Sequence, residues 1–388
     1  MGVERSFKLG VTLHNLQKAD DGYTLFGPNN HDAWLIDIEG RVVNRWRMPY
    51  SAGCHGRLLP NGHIIWASQI HTAEEYGLTD DFSGLGGLIQ ELDWDGNLVW
   101  ESEAPYQGHD FQVMDNGHIL YICFHPNGIL PDELAAEVKG GLPGTEQNGK
   151  IWGDCVMEID RQGKVVWEWL ACEHLDPKID TLCPLESRSM WPYLNSLCVC
   201  QDGNILLSTR YLNQITKIEY PSGRVLNRYL RGRIFHQHDV RELPNGNIMA
   251  FDNGLHRYGE ELSYSRVVEF DPSTEEVVWE YKAEQPSDFY SAICGGSERL
   301  ANGNTLICDS VAGRVFEVTP SNEIVWEYVS PFMGEKRGLP TNRIWRAHRY
   351  SRDYTGFKDH ILDPTRFPWE NLIYGPHAFR KDFAFTIS

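Results

Sequence analysis

Leu243-Pro244-Asn245-Gly246-Asn247-Ile248 sets an Asn-Gly turn between two apolar stretches, and the pattern returns along the chain. It recurs as Leu59-Pro60-Asn61-Gly62-His63-Ile64, Met114-Asp115-Asn116-Gly117-His118-Ile119, Gln201-Asp202-Gly203-Asn204-Ile205 and Leu300-Ala301-Asn302-Gly303-Asn304-Thr305. Asp21-Gly22-Tyr23-Thr24-Leu25 is a sixth, weaker copy. Asn-Gly and Asp-Gly supply the positive φ that tight hairpins demand. A second hairpin follows each copy. The clearest is Val156-Met157-Glu158-Ile159-Asp160, a turn at Arg161-Gln162-Gly163, then Val165-Val166-Trp167-Glu168-Trp169. Apolar and polar residues alternate along these segments, the period-2 pattern of strands. Two hairpins per repeat make a four-stranded antiparallel sheet. Sheets that cannot bury both faces alone stack on their neighbours. The sequence therefore predicts an all-β protein, a six-bladed β-propeller of four-stranded antiparallel blades. Trp100, Trp167, Trp279 and Trp326 recur in the second hairpins and are expected to fill the space between blades.

The repeat accounts for residues 1–330. The longest interval between turn glycines, 86 residues from Gly117 to Gly203, holds two insertions, at about 125–150 and 171–191. Insertions of this length inside a repeat are expected to form a lid or rim beside a site. Residues 331–388 break the pattern. They carry ten Lys/Arg against six Asp/Glu and eleven Phe, Tyr or Trp residues. Such a segment is too aromatic for a disordered tail. It is read as a C-terminal extension that wraps the propeller or a neighbouring subunit, with a homo-oligomer as the second case.

The 388 residues carry 35 Lys/Arg and 54 Asp/Glu, a formal net charge of −19. An acidic chain does not fit a nucleic-acid or anionic-membrane partner, since both need basic surface. No apolar run is long enough to span a bilayer as a helix. The first residues show no basic segment leading into an apolar one, so no export signal is expected. With nine irregularly spaced cysteines, this predicts free thiols and a cytoplasmic location.

Alignment on the turn glycines compares the start of each first strand, the strand that lines a propeller's channel. Eight residues before the glycine stand His14, Cys54, His109, Asn195, His238 and Gly295. Seven before stand His55, Asp110, Ser196 and Asp239, and ten before stand Tyr193 and His236. Polar residues of independent blades thus share one register, which predicts a ring at one channel mouth. His236 and His238 fall on one face of a strand, with Asp110 and Asp239 on the other. His236, His238 and His109 also offer imidazoles to a divalent metal, a case left open with no firm cofactor. Arg210 and Arg266, at strand ends, present the planar fork that suits a sulfate, phosphate or carboxylate. Cys294 joins the candidates for substrate contact.

His236-Gln237-His238-Asp239 followed by Leu243-Pro244-Asn245-Gly246-Asn247, with Ser265-Arg266-Val267-Val268-Glu269 and Asn195-Ser196 leading to Ser208-Thr209-Arg210, resembles the arylsulfotransferase family. The resemblance covers residues 10–330. It implies a six-bladed propeller that moves a sulfuryl group between phenols through a channel histidine, without a nucleotide donor. It also implies an arginine, matched here by Arg266, that stabilises the transferring charge. Two stretches depart from the family pattern. Tyr193 stands where the family has a histidine before Asn195, and Ser291-Ala292-Ile293-Cys294 holds none where the family's nucleophile is expected. The expected function is an arylsulfotransferase-like enzyme acting on a small anionic or phenolic substrate. His236, His238, His109 and Tyr193 are its catalytic candidates. Arg266, Arg210, Asn195, His14, His55 and Cys294 are its substrate contacts. A diverged lyase or hydrolase using His/Tyr acid–base chemistry stays open, as does a ligand- or protein-binding propeller without chemistry.

Overall fold

The computed structural model describes residues 9–28, 30–72, 74–76, 84–336 and 339–376. The fold is a six-bladed β-propeller of four-stranded antiparallel sheets. The chain divides into two compact units. One takes the chain up to Trp66, Glu91–Val99 and everything from Gly295; the other takes Ala67–Gln90 and Trp100–Cys294.

In the first unit, one blade runs in the order Ile344–Ser351, Gly22–Pro28, Asp32–Ile36 and Val42–Arg47. Its first strand therefore comes from the C-terminal part of the chain. The other blade is Gly296–Arg299, Thr305–Asp309, Arg314–Val318 and Ile324–Val329, with Gly10–His14 as a fifth strand beyond the last. Two expectations change. The propeller does not end at 330, because Ile344–Ser351 completes a blade. His14 does not start a first strand: it pairs with Trp326 on the far edge of the last blade. The N-terminal strand spends its backbone hydrogen bonds on that edge, so the first-strand position is filled from the other end of the chain. The extension continues on the same unit, where the Asn371 side chain bonds both backbone polar groups of Val42 at 2.8 and 3.0 Å. The rest of the extension, 377–388, lies outside the described residues.

The second unit holds three complete blades. They are Gln107–Val113, Ile119–Ile129, Trp152–Ile159 and Val165–Leu170; Leu194–Val199, Ile205–Thr209, Gln214–Ile218 and Val225–Tyr229; and His238–Glu242, Ile248–Asp252, Arg266–Phe270 and Val277–Tyr281. The remaining sheet is Ser51–Leu58, Ile64–Gln69, Gly87–Leu92 and Leu98–Glu103, its residues shared between the two units. Leu120, Ile122, Phe124, Val156, Trp169 and Leu207 belong to one buried apolar cluster.

Two devices explain the repeating sequence. The residue after the turn glycine reaches a glutamate on the third strand of its own blade. His63 meets Glu91 at 2.7 Å, His118 meets Glu158 at 2.6 Å, Asn247 meets Glu269 at 2.7 Å and Asn304 meets Glu317 at 2.6 Å. These glutamates are buried, and the turn residue helps to satisfy an oxygen taken out of water. Fourth-strand indoles form the other device. Trp46 donates to the Asp93 carbonyl at 2.9 Å, Trp100 to Arg161 at 2.7 Å, Trp167 to Pro221 at 2.8 Å and Trp326 to Ile38 at 2.8 Å. Each indole packs its ring and satisfies its N–H on a neighbouring blade. Trp46 and Trp326 are fully buried, whereas Trp100, Trp167 and Trp279 are half-buried.

One expectation about cysteine is corrected. Cys123 and Cys155 are direct cross-strand partners, with Cα atoms 5.2 Å apart, and form a disulfide. The other seven cysteines are not disulfide-bonded.

Candidate functional site

Entry to the first strands is strained. His109, Tyr193, His236 and Cys294 all hold left-handed backbone, at φ 59°, 62°, 55° and 58°. Side chains with a Cβ rarely adopt this region, and such strain gathers where a side chain must be aimed. All four lie in the second unit, within eight to ten residues of a turn glycine.

Tyr193 is the hub of one cluster. Its hydroxyl lies 3.1 Å from His109 Nε2 in a hydrogen bond. Its ring stacks on Tyr211 with centroids 4.4 Å apart. Arg210 lies over both rings, at 5.2 Å from Tyr193 and 5.1 Å from Tyr211. Arg210 and Tyr211 come from a short 3-10 turn that ends the strand Ile205–Thr209, so one turn delivers the cation and its aromatic platform. The Tyr193 amide donates to Asp154 Oδ2 at 2.6 Å, which fixes the strained backbone. Burial opposes the charge on Arg210. Tyr211, Glu186, Tyr193 and Cys294 more than offset it, and the guanidinium is held above its usual range. Its carboxylate partner, Glu186, stands 3.8 Å from Nη1, a loose pairing.

Glu186 belongs to the insertion expected as a rim, and it leads to a neighbouring group. Glu186 Oε1 is 3.6 Å from His236 Nδ1 and 3.8 Å from His256 Nδ1. Cys183, from the same insertion, places Sγ 3.6 Å from His256 Nδ1. Burial, followed by Arg210, His256 and His238, pushes the His236 imidazole well below its ordinary range and keeps it neutral.

His238 is locked differently. Its Nδ1 is 2.7 Å from Asn253 Oδ1, and its Nε2 accepts the Cys294 amide at 3.2 Å. These two bonds fix the tautomer with the proton on Nδ1. The imidazole trio expected for a metal therefore does not converge: His109 turns to Tyr193 and His238 to Asn253, while His236 joins Cys183 and His256 instead.

Asn195 donates to the Gln237 carbonyl at 2.8 Å and ties two first strands together. Asp110 does the same by accepting the Leu197 amide at 3.0 Å. Arg266 is not placed to hold an anion. It pairs with Asp252 at 2.7 Å and Glu280 at 2.6 Å and donates to the Arg233 carbonyl at 2.7 Å. Two carboxylates already saturate its fork. In the first unit His55 Nε2 lies 3.2 Å from Arg346 Nη1, and His348 pairs with Glu298 at 3.2 Å. Arg346 and His348 sit on the strand that took the place expected for His14. His14 itself stays on the edge strand, away from any first-strand position.

Sequence reasoning passed over Cys183, Glu186, Tyr211, Asn253, His256 and Asp154. The insertion boundaries were a usable signal for the first two. His256 lies in the long link between Ile248–Asp252 and Arg266–Phe270, which also stretches one repeat.

Residues 55–331 match the model of the arylsulfotransferase (ASST) family. The chain belongs to the arylsulfotransferase family. No curated protein matches it significantly. Among solved structures it is similar to a protein of unknown function from Bacteroides caccae, with 12% identity and a TM-score of 0.53 over 85% of this chain and 98% of that one. That likeness shows the fold. A streptogramin B lyase aligns at 12% identity and TM-score 0.47 over 90% of this chain and 96% of that one. The virginiamycin B lyase of Staphylococcus aureus aligns at 11% and 0.44 over 83% and 89%. Membership in the family makes this propeller a candidate transferase. Arg210 and His109 each contact Tyr193, which brings a cation and an imidazole to one phenol.

Proposed function

We propose that this arylsulfotransferase-family protein transfers a sulfuryl group between small phenols at the Tyr193–His109–Arg210 cluster of the second unit. The observation that carries the reading is the buried guanidinium of Arg210 resting on the Tyr193 ring, whose hydroxyl is bonded to His109. Arg210 receives the sulfate group of the donor and stabilises the charge that develops on its oxygens. The two stacked tyrosines form an aromatic wall suited to a phenolic ring. The S–O bond of the aryl sulfate breaks and an S–O bond to the acceptor phenol forms. The acceptor's proton passes to His109, Tyr193 supplies a proton to the departing phenolate, and His109 returns its proton to Tyr193 along their hydrogen bond, so donor phenol, sulfated acceptor and the starting enzyme are the products.

The test is to incubate the full chain with an aryl sulfate and a second phenol. The expected result is sulfated acceptor appearing in step with released phenol. Release that never depends on the acceptor, or no release at all, would overturn the reading. An intact-mass gain of one sulfuryl group would replace the direct route by a two-step one.

A further inference from the structure

Cys183, His236 and His256 place one ligand atom each within 4.8 Å of one another. None of the three takes part in the transfer step proposed above. His236 is completely buried, and neither of its ring nitrogens has a hydrogen-bond partner. A buried imidazole with two unsatisfied nitrogens costs free energy unless something else meets it. Cys183 is buried too, and His256 is half-buried, so the group is open on one side.

The trio is spaced to close on a tetrahedral ion. Zinc bound by sulfur at about 2.3 Å and nitrogen at about 2.0–2.1 Å sets its ligand atoms about 3.3–3.6 Å apart. Cys183 Sγ and His256 Nδ1 stand 3.6 Å apart, and Glu186 Oε1 is 3.6 Å from His236 Nδ1 and 3.8 Å from His256 Nδ1. We propose that Cys183, His236 and His256, with Glu186 beside the two imidazoles, form a binding site for a late first-row divalent cation of the zinc class. One thiolate with two imidazoles selects such ions over magnesium or calcium. The charges are consistent with it. Thiolate and carboxylate offset the dication, and Arg210, 3.8 Å from Glu186, is the cation that opposes it. The backbone fixes the imidazoles, since His236 and His256 both hold left-handed φ, at 55° and 59°. The insertion that supplies Cys183 and Glu186 is thereby tied to the blade entry that supplies His236.

Cobalt(II) is the probe. Full-length protein, stripped with a chelator and titrated with cobalt, is expected to take up one equivalent with a thiolate-to-cobalt charge-transfer band. Zinc should displace it. Cys183→Ser should abolish the band, and His256→Gln, at the more exposed ligand, should weaken binding at least tenfold. Circular dichroism of the stripped variants shows whether each still folds; if Cys183→Ser does not, His256→Gln decides. A wild-type protein without the band, or both variants binding cobalt as the wild type does, would overturn the site.

Discussion

The Tyr193 hydroxyl meets Nε2 of His109 at 3.1 Å, and the two residues enter from neighbouring blades on strained backbone. Tyr193→Phe removes only that hydroxyl, because the ring can keep its stack on Tyr211. A proton donor of this kind contributes about 10²–10⁴-fold to rate. Turnover with an aryl sulfate whose phenol is a poor leaving group should fall by that order, with KM little changed. With a good leaving group the loss should shrink, since that phenolate needs no proton. A variant that loses the same factor with both donors would remove Tyr193 from proton transfer.

Arg210 holds its place by lying over two aromatic rings. Arg210→Met should cut kcat/KM by about 10²–10³-fold, the scale for one donor to developing charge. Arg210→Lys keeps a charge and loses the planar stack, so it should recover little of that loss. Steady-state kinetics with the two variants side by side checks both statements.

Much of this was legible in the sequence, and the failures have physical causes. The turn glycines mark hairpins because Asn-Gly needs positive φ, a strictly local requirement, so the six blades could be counted. His109, Tyr193, Arg210 and His236 also stood out. What the repeat cannot show is which strand completes which sheet. His14 fits the first-strand register by spacing, yet its backbone pairs with Trp326, and Ile344–Ser351 takes that position instead. Arg266 has the right chemistry for an anion, but its partners Asp252 and Glu280 become visible only when the strands are side by side. Cys183 and His256 are 73 residues apart and meet only through an insertion and a loop, neither of which carries periodicity.

Asp154 gives a pH test. It is buried on the strand Trp152–Ile159, and its Oδ1 has no hydrogen-bond partner. Burial pushes its carboxyl up to about 8 from 3.8, against the Tyr193 and Leu194 amides, which pull it down. The folded protein therefore keeps a proton that the unfolded chain releases near 3.8. Stability is unpenalised below that value and falls as pH rises from it toward about 8, where the loss levels off. Asp154→Asn carries no such proton. Its urea midpoint should decline less across this window than that of the wild type. Parallel slopes for the two proteins would show that Asp154 is already ionised in the fold.

Arg349 closes the first unit. From the strand Ile344–Ser351 it donates to Thr24 Oγ1 at 2.9 Å and to the Asp20 carbonyl at 2.5 Å, and it lies 3.5 Å from Glu317 Oε2. Its guanidinium sits 4.7 Å from the Trp326 ring. Glu317 is fully buried and also accepts from the Asp20 amide at 2.8 Å and from Asn304 at 2.6 Å. The pair thus joins the first strand of one blade to the third strand of the other. Arg349→Leu strands the Glu317 carboxylate without its cation, which costs about 3–5 kcal/mol when a buried pair is broken. Removing the charge as well, in Arg349→Leu with Glu317→Gln, should recover a large part of that loss, because most of it is the penalty of the orphaned charge. Urea unfolding of the two single variants and the double completes the cycle. A double variant as unstable as the sum of the singles would mean that Arg349 acts by packing on Trp326 and by its bonds to Thr24 and Asp20, and not through Glu317.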